Sequence, residues 1–132
     1  FARATLLTPN LPEAAKLVGE GSTQSQANAL LELGVGAVLM KGGHADGETC
    51  TDHLISQRGT QDFSAPRVNT RNTHGTGCSY SSAIAAGLAQ GMVLSDAVSR
   101  AHTWLHQAIL HADELHVGRG HGPVHHFHAL WK

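Results

Sequence analysis

The sequence predicts an α/β layered domain whose sheet is mostly parallel with an antiparallel hairpin at its edge. Residues 36–40, Gly-Ala-Val-Leu-Met, form an uninterrupted apolar run, the pattern of a strand buried on both faces. Helical and extended segments surround that run in the order strand, helix pair, strand, hairpin, loop and two helices. The length of 132 residues suffices for one domain with a modest core, and 41% hydrophobic against 14% charged residues is a globular balance.

Each element has its own signal. Residues 5–8 are mostly apolar and are cut off by Pro9, which reads as a short buried strand. Asn10 opens a short helix, with Pro12 in its first turn and Glu13 three residues on. Ser22 or Thr23 caps a second helix, in which Thr23 and Gln26 have capping-box spacing; Ala27, Leu30 and Leu31 form its apolar stripe and Gly34 ends it. Lys41, Gly42 and Gly43 close the apolar strand and set Lys41 at its carboxyl end. Residues 49–56 and 60–68 read as two weaker strands joined at Gln57-Arg58-Gly59. Residues 69–77 form a polar, glycine-bearing loop, and residues 78–90 an Ala- and Ser-rich helix that stops at Gly91. Ser95 then caps a long helix to about residue 115, with Val98, Ala101, Leu105, Ala108, Ile109 and Ala112 on one face.

Charge and cysteine content narrow the class. A net charge of −1 gives no field that would favour nucleic acid or an anionic membrane, although eleven His make that charge sensitive to pH near neutrality. No apolar run approaches the roughly 20 residues needed to cross a bilayer. Cys50 and Cys78 do not suggest a disulfide framework, which places the chain in the reducing cytoplasm. The opening Phe1-Ala2-Arg3-Ala4 is not a signal peptide; with a strand following almost at once, it reads as a cut within a longer chain.

The strongest chemical signal is Asn72-Thr73-His74-Gly75-Thr76-Gly77-Cys78, directly before a helix. Gly75 and Gly77 let the backbone turn tightly, and the helix start adds free N–H groups and the positive end of its dipole. Such a cradle suits a transferring phosphoryl group, and Cys78 beside it can act as general base toward a substrate hydroxyl. A plain tight turn with a buried Cys is the competing reading of the loop. The loop is not a Walker A motif, because Lys and Ser/Thr do not follow in the required order. Lys41 is either a phosphate-neutralising charge or a solvated strand end. Asn10 and Glu13 make a serviceable helix cap on their own.

These segments together resemble a known family. Asn-Thr-His-Gly-Thr-Gly-Cys at 72–78, Thr-Pro-Asn-Leu-Pro-Glu at 8–13 and Val-Leu-Met-Lys-Gly-Gly-His at 38–44 are similar to motifs of the ribokinase superfamily. Within it they resemble the hydroxymethylpyrimidine/phosphomethylpyrimidine kinases of thiamine biosynthesis, and residues 117–128 look like the end of those enzymes. The resemblance implies a ribokinase-like three-layer αβα sandwich, of which residues 1–132 form the carboxy-terminal part with the amino-terminal half absent. It implies Gly75, Thr76 and Gly77 as the anion hole, with Cys78 where many relatives carry a catalytic Asp. It also implies Lys41, Asn72, Thr73 and His74 at the nucleotide, and Asn10 and Glu13 ordering Mg²⁺. ATP would be the phosphate donor. The acceptor would be 4-amino-5-hydroxymethyl-2-methylpyrimidine and then its monophosphate, and the family's habit of dimerising implies a homodimer. A pyridoxal kinase with the same cysteine loop and a non-catalytic nucleotide-binding module remain as alternatives.

His44 and His74 fall near the expected phosphates, whereas His102, His106 and His111 fall on solvated or flanking positions of the long helix. His121, His125, His126 and His128 lack the accompanying Cys or carboxylate spacing of a zinc site and read as a tail packed on the body. Trp104 and Trp131 read as packing residues.

Overall fold

Helix α1 (Leu11–Val18) and helix α2 (Thr23–Glu32) lie against strand β1 (Ala37–Met40), which leads into the hairpin of β2 (Thr49–Ser56) and β3 (Gly59–Pro66). Helices α3 (Thr76–Ala89) and α4 (Leu94–Leu110) follow, with a short 3-10 turn at Ala112–Glu114. This computed structural model describes residues 1–42 and 47–131, so His44 and its expected phosphate role lie outside the described residues. The chain divides into two compact units, Phe1–Arg67 and Val68–Lys132. Among the described residues no helix is long and apolar enough to cross a membrane.

In the first unit every residue of β1 is buried, as its unbroken apolar run requires. Val38 and Met40 join Ala14 of α1, Ala27 and Leu30 of α2, and Ile55 of β2 in one core cluster. Leu30 is wholly enclosed there, and truncating such a residue to Ala typically costs about 2–5 kcal/mol. Ser22 supplies the cap of α2, accepting from the Ser25 N–H at 3.1 Å, so Thr23 is the first helical residue and not a cap. Gln26 turns instead to the Gly19 carbonyl at 3.0 Å.

The sheet differs from the mostly parallel arrangement read from the sequence. Its three strands run in the order β1-β2-β3, and both pairings are antiparallel. Parallel pairing occurs where the segment before α1 runs along β1, bridging Leu7 to Val38 and Asn10 to Lys41. Backbone bonds from Gly36 to Ala4, Leu7 to Ala37, Leu39 to Leu7 and Lys41 to Pro9 carry it, at 2.7–3.0 Å. Pro9 has no N–H to donate, so this segment forms bridges and not a regular strand. The hairpin has the expected position, closing through Gln57 and Arg58 with Ser56 opposite Gly59.

In the second unit α3 starts at Thr76, two residues before the expected Cys78, because the turn at Gly75 already directs the chain into helix. Helix α4 starts after Val93, which makes no side-chain cap; Ser95 lies inside the first turn with Asp96, whose charge suits the helix dipole. The helix ends at Leu110, and the chain tightens into the 3-10 turn before residue 115. Ala97, Val98, Ala101, Leu105 and Ala108 form the buried face, while Ile109 is only half-buried. A Cβ at Gly87 would stand 3.1 Å from Ala97 Cβ, which shows how closely α3 and α4 approach.

The final segment packs back on α4. The His125 N–H donates to the Ala108 carbonyl at 2.9 Å, and the His128 ring stacks on His111 with centroids 5.7 Å apart. Trp104 lies against His126 and His128, and Trp131 against His125 and Phe127. Trp104 of α4 thus packs against the segment as expected, whereas Trp131, although it touches two rings, stays 60% exposed.

Candidate active site

The first unit gathers Asn10, Glu13 and Lys41 at one end of β1. Asn10 is extended and caps α1: its Oδ1 accepts the Glu13 N–H at 2.8 Å, and Glu13 Oε2 accepts the Asn10 N–H at 2.9 Å. The reciprocal cap pins the Glu13 carboxylate over the helix start. The bridge to Asn10 places Lys41 beside that cap. Lys41 is half-buried, and it makes no ion pair among the described residues.

A cleft of about 240 Å³ opens at this end, lined by Leu11, Lys41, Gly42, Thr49, Thr51 and His53 among others. Sequence reasoning missed its polar wall. The Gly42 N–H donates to Asp52 Oδ1 at 2.8 Å, and His53 Nδ1 meets Asp62 Oδ1 at 2.6 Å. The alternation of polar side chains along β2 was the available signal, but the cleft arises only when the hairpin folds beside β1.

The donor set here suits Mg²⁺ held largely by water and phosphate. One Glu13 oxygen is engaged by the cap, which leaves Oε1 for a metal-bound water. No three His, Cys, Asp or Glu residues among those described converge as an all-protein metal site. Mg²⁺ characteristically uses one or two carboxylates and keeps several waters, a demand that the remaining Glu13 oxygen fits.

The second unit presents the glycine loop. Gly75 has φ 81° and ψ 3°, the left-handed region that only glycine enters freely. No side chain caps α3. The Thr76 N–H reaches the Thr73 carbonyl at 3.3 Å, and the first i→i−4 bond is Ser79 N–H to the Gly75 carbonyl at 2.9 Å. The Gly77 and Cys78 amides precede that bond and have no partner within the helix. Cys78, in the first turn, is exposed and free, not the buried thiol of a plain turn.

The loop is held from behind by the end of the chain. The His74 N–H donates to the Gly122 carbonyl at 3.1 Å, and His121 Nδ1 meets the Arg71 carbonyl at 3.0 Å. Asn72 uses both ends of its side chain. Its Nδ2 donates to Asp113 Oδ1 at 2.8 Å, and its Oδ1 accepts the Gly122 N–H at 2.9 Å. The Thr73 and His74 side chains are exposed.

These elements recur in known proteins. The family described as phosphomethylpyrimidine kinase matches residues 1–125. The hydroxymethylpyrimidine/phosphomethylpyrimidine kinase of Escherichia coli K12 is 50% identical over 98% of this chain and 51% of its own length. The thiamine biosynthesis bifunctional protein ThiED of Geobacter sulfurreducens is 45% identical over 96% of this chain and 26% of its own length. Among solved structures, the ADP complex of Bacillus subtilis pyridoxal kinase superposes with a TM-score of 0.86 at 28% identity, covering 96% of this chain and 49% of that one. Staphylococcus aureus pyridoxal kinase with AMP-PCP and pyridoxal gives 0.88 at 28% identity, covering 98% and 50%. The fold of this chain is therefore the ribokinase-like α/β fold of those kinases. The chain spans about half the length of the curated single-function kinases it matches, and about a quarter of the bifunctional relative. With a family match running from Phe1 almost to the end, through both the strand-end cleft and the glycine loop, the chain belongs to the phosphomethylpyrimidine kinase family.

Proposed function

We propose that this chain carries the ATP-phosphate-binding and catalytic part of a hydroxymethylpyrimidine/phosphomethylpyrimidine kinase. The observation that carries the reading is the left-handed Gly75 turn, which leaves the Gly77 and Cys78 amides without helix partners next to an exposed thiol. The name of the 50%-identical Escherichia coli relative supports the substrate class.

Phosphoryl transfer needs positioning and charge stabilisation more than covalent chemistry from the protein. In the proposed step the acceptor hydroxyl oxygen bonds to the γ-phosphorus of ATP while the bond to the ADP oxygen breaks. The Cys78 sulfur, acting as thiolate, takes the hydroxyl proton and becomes the thiol, and the amides of 75–78 hold the charge on the moving group. Lys41 neutralises nucleotide phosphates, and Thr73 and His74 border them from the loop. Asn72, expected at the nucleotide, spends both ends of its side chain on Asp113 and Gly122, and so acts through the loop's support instead of on the nucleotide. Asn10 and Glu13 order water around Mg²⁺, which when bound offsets phosphate charge. Residues 1–132 on their own would turn over little pyrimidine, with the acceptor pocket supplied from outside them. A homodimer in the cytoplasm is part of the same proposal.

The second reading, a pyridoxal kinase, is favoured by the pyridoxal kinases among the structural neighbours. A panel of hydroxymethylpyrimidine, its monophosphate and pyridoxal, assayed with ATP and Mg²⁺ on the protein as its gene encodes it, separates the two. Preferred turnover of pyridoxal would overturn the main reading, and ATP binding without turnover of any acceptor would leave only a nucleotide-binding module.

A further inference from the structure

We infer that Asp113 is a positioning residue for the phosphoryl-transfer loop, an assignment that rests on the kinase reading above. Asp113 lies in the 3-10 turn after α4 and is 41 residues from Asn72 in sequence. One carboxylate oxygen, Oδ1, accepts two hydrogen bonds from the loop: from Thr70 Oγ1, and from Asn72 Nδ2 at 2.8 Å. The Asn72 N–H in turn donates to Thr70 Oγ1 at 3.1 Å, so the three residues form one closed set of bonds.

Asn72 passes the constraint on. Its Oδ1 accepts the Gly122 N–H at 2.9 Å, and the Gly122 carbonyl accepts the His74 N–H at 3.1 Å. A Cβ at Gly122 would stand 2.9 Å from Asn72 Cγ, so the absence of a side chain there is what lets Asn72 seat. Asp113 thus fixes the side chain that fixes the segment at Gly122, which holds His74, the residue before the left-handed Gly75. The direction of the amides at 75–78 depends on that chain of contacts, although Asp113 touches neither nucleotide nor acceptor. A carboxylate is well suited to this task because it only accepts, and both of its partners here are donors.

The charge pattern gives a test that separates positioning from general stability. In the protein as its gene encodes it, Asp113→Ala is expected to lower kcat about tenfold to a hundredfold, with KM for ATP changed by no more than about threefold. Asp113→Asn keeps an oxygen that can accept both bonds and is expected to stay within about threefold of the unsubstituted protein. Asn72→Asp sets two carboxylates against each other and is expected to lose at least about tenfold in kcat, while Asn72→Asp with Asp113→Asn restores a donor–acceptor pair and recovers most of it. That pair of variants decides the matter even if Asp113→Ala fails to fold. Unaltered kcat in Asp113→Ala, or no recovery in the double variant, overturns this inference alone. Absence of turnover in the unsubstituted protein overturns the kinase reading and this inference with it.

Discussion

Ser79 Oγ and His126 Nε2 are 2.8 Å apart, a hydrogen bond that fastens the end of the chain to the first turn of α3. Ser79 also makes the first helical bond of α3 through its N–H. The bond lies at the surface, so Ser79→Ala is expected to cost about 0.5–1.5 kcal/mol at most. It should speed amide exchange at residues 77–79 more than at the middle of α3, as read by hydrogen exchange. Uniform change along the helix would refute a local role.

Cys78 is exposed on the same turn. If its sulfur takes the acceptor proton, Cys78→Ala should lower kcat by about 10²–10⁴ and leave the Kd for ATP within a few-fold. Single-turnover kinetics with a nucleotide-binding measurement separate the two. An unchanged kcat removes the thiol from the chemistry.

Glu13 has a capping role and a proposed metal role, which one substitution pulls apart. Glu13→Gln retains a side chain able to complete the capping box with Asn10, but carries no charge for a metal. The melting temperature should stay within about 2 °C, a shift that corresponds to less than about 0.5 kcal/mol in a domain of this size. The Mg²⁺ concentration for half-maximal rate should rise several-fold. A lower melting temperature with unaltered Mg²⁺ dependence would reduce Glu13 to a cap.

Acid should loosen the final segment from α4. Burial, followed by the charges of His111 and His125, lowers the His128 pKa from its ordinary value of 6.5, with Glu114 acting in the opposite sense. The hydrogen bond from His111 lowers the Glu114 pKa from 4.5. In both cases the unfolded form binds the proton more readily, so each contribution is complete above the ordinary value and is lost as pH falls toward the folded one. The first loss therefore begins below about pH 6.5 through His128, and the second below about 4.5 through Glu114. Fluorescence of Trp104 and Trp131 between pH 7.5 and 5.5 should report the first step, and His128→Phe should flatten it. A His128→Phe protein with the same acid response would exclude His128 as the cause.

The local parts of this architecture were legible in the sequence. Asn10 and Glu13 announce their box by a three-residue spacing, and Gln57-Arg58-Gly59 announces the hairpin. The turn at Gly75 is visible as a glycine loop, but the true start of α3 is not, because a backbone conformation and not a capping side chain begins it. Ser95 resembles a cap in sequence yet lies inside α4, because that helix starts without one. The parallel pairing was overestimated because a buried apolar strand has the same composition whichever way its neighbour runs. Asp113 carried no signal at all. It lies in a short turn that follows a helix, and its partners Thr70 and Asn72 come near only when the chain has folded.

A helix left without a side-chain cap has a linkage consequence. Under the proposed function its terminal amides pass from water to a bound anion, so occupancy of the loop and order of that turn form one equilibrium. An anion present at a hundred times its Kd would deepen the folded well by about 2.7 kcal/mol, which makes thermal denaturation itself a titration of the site.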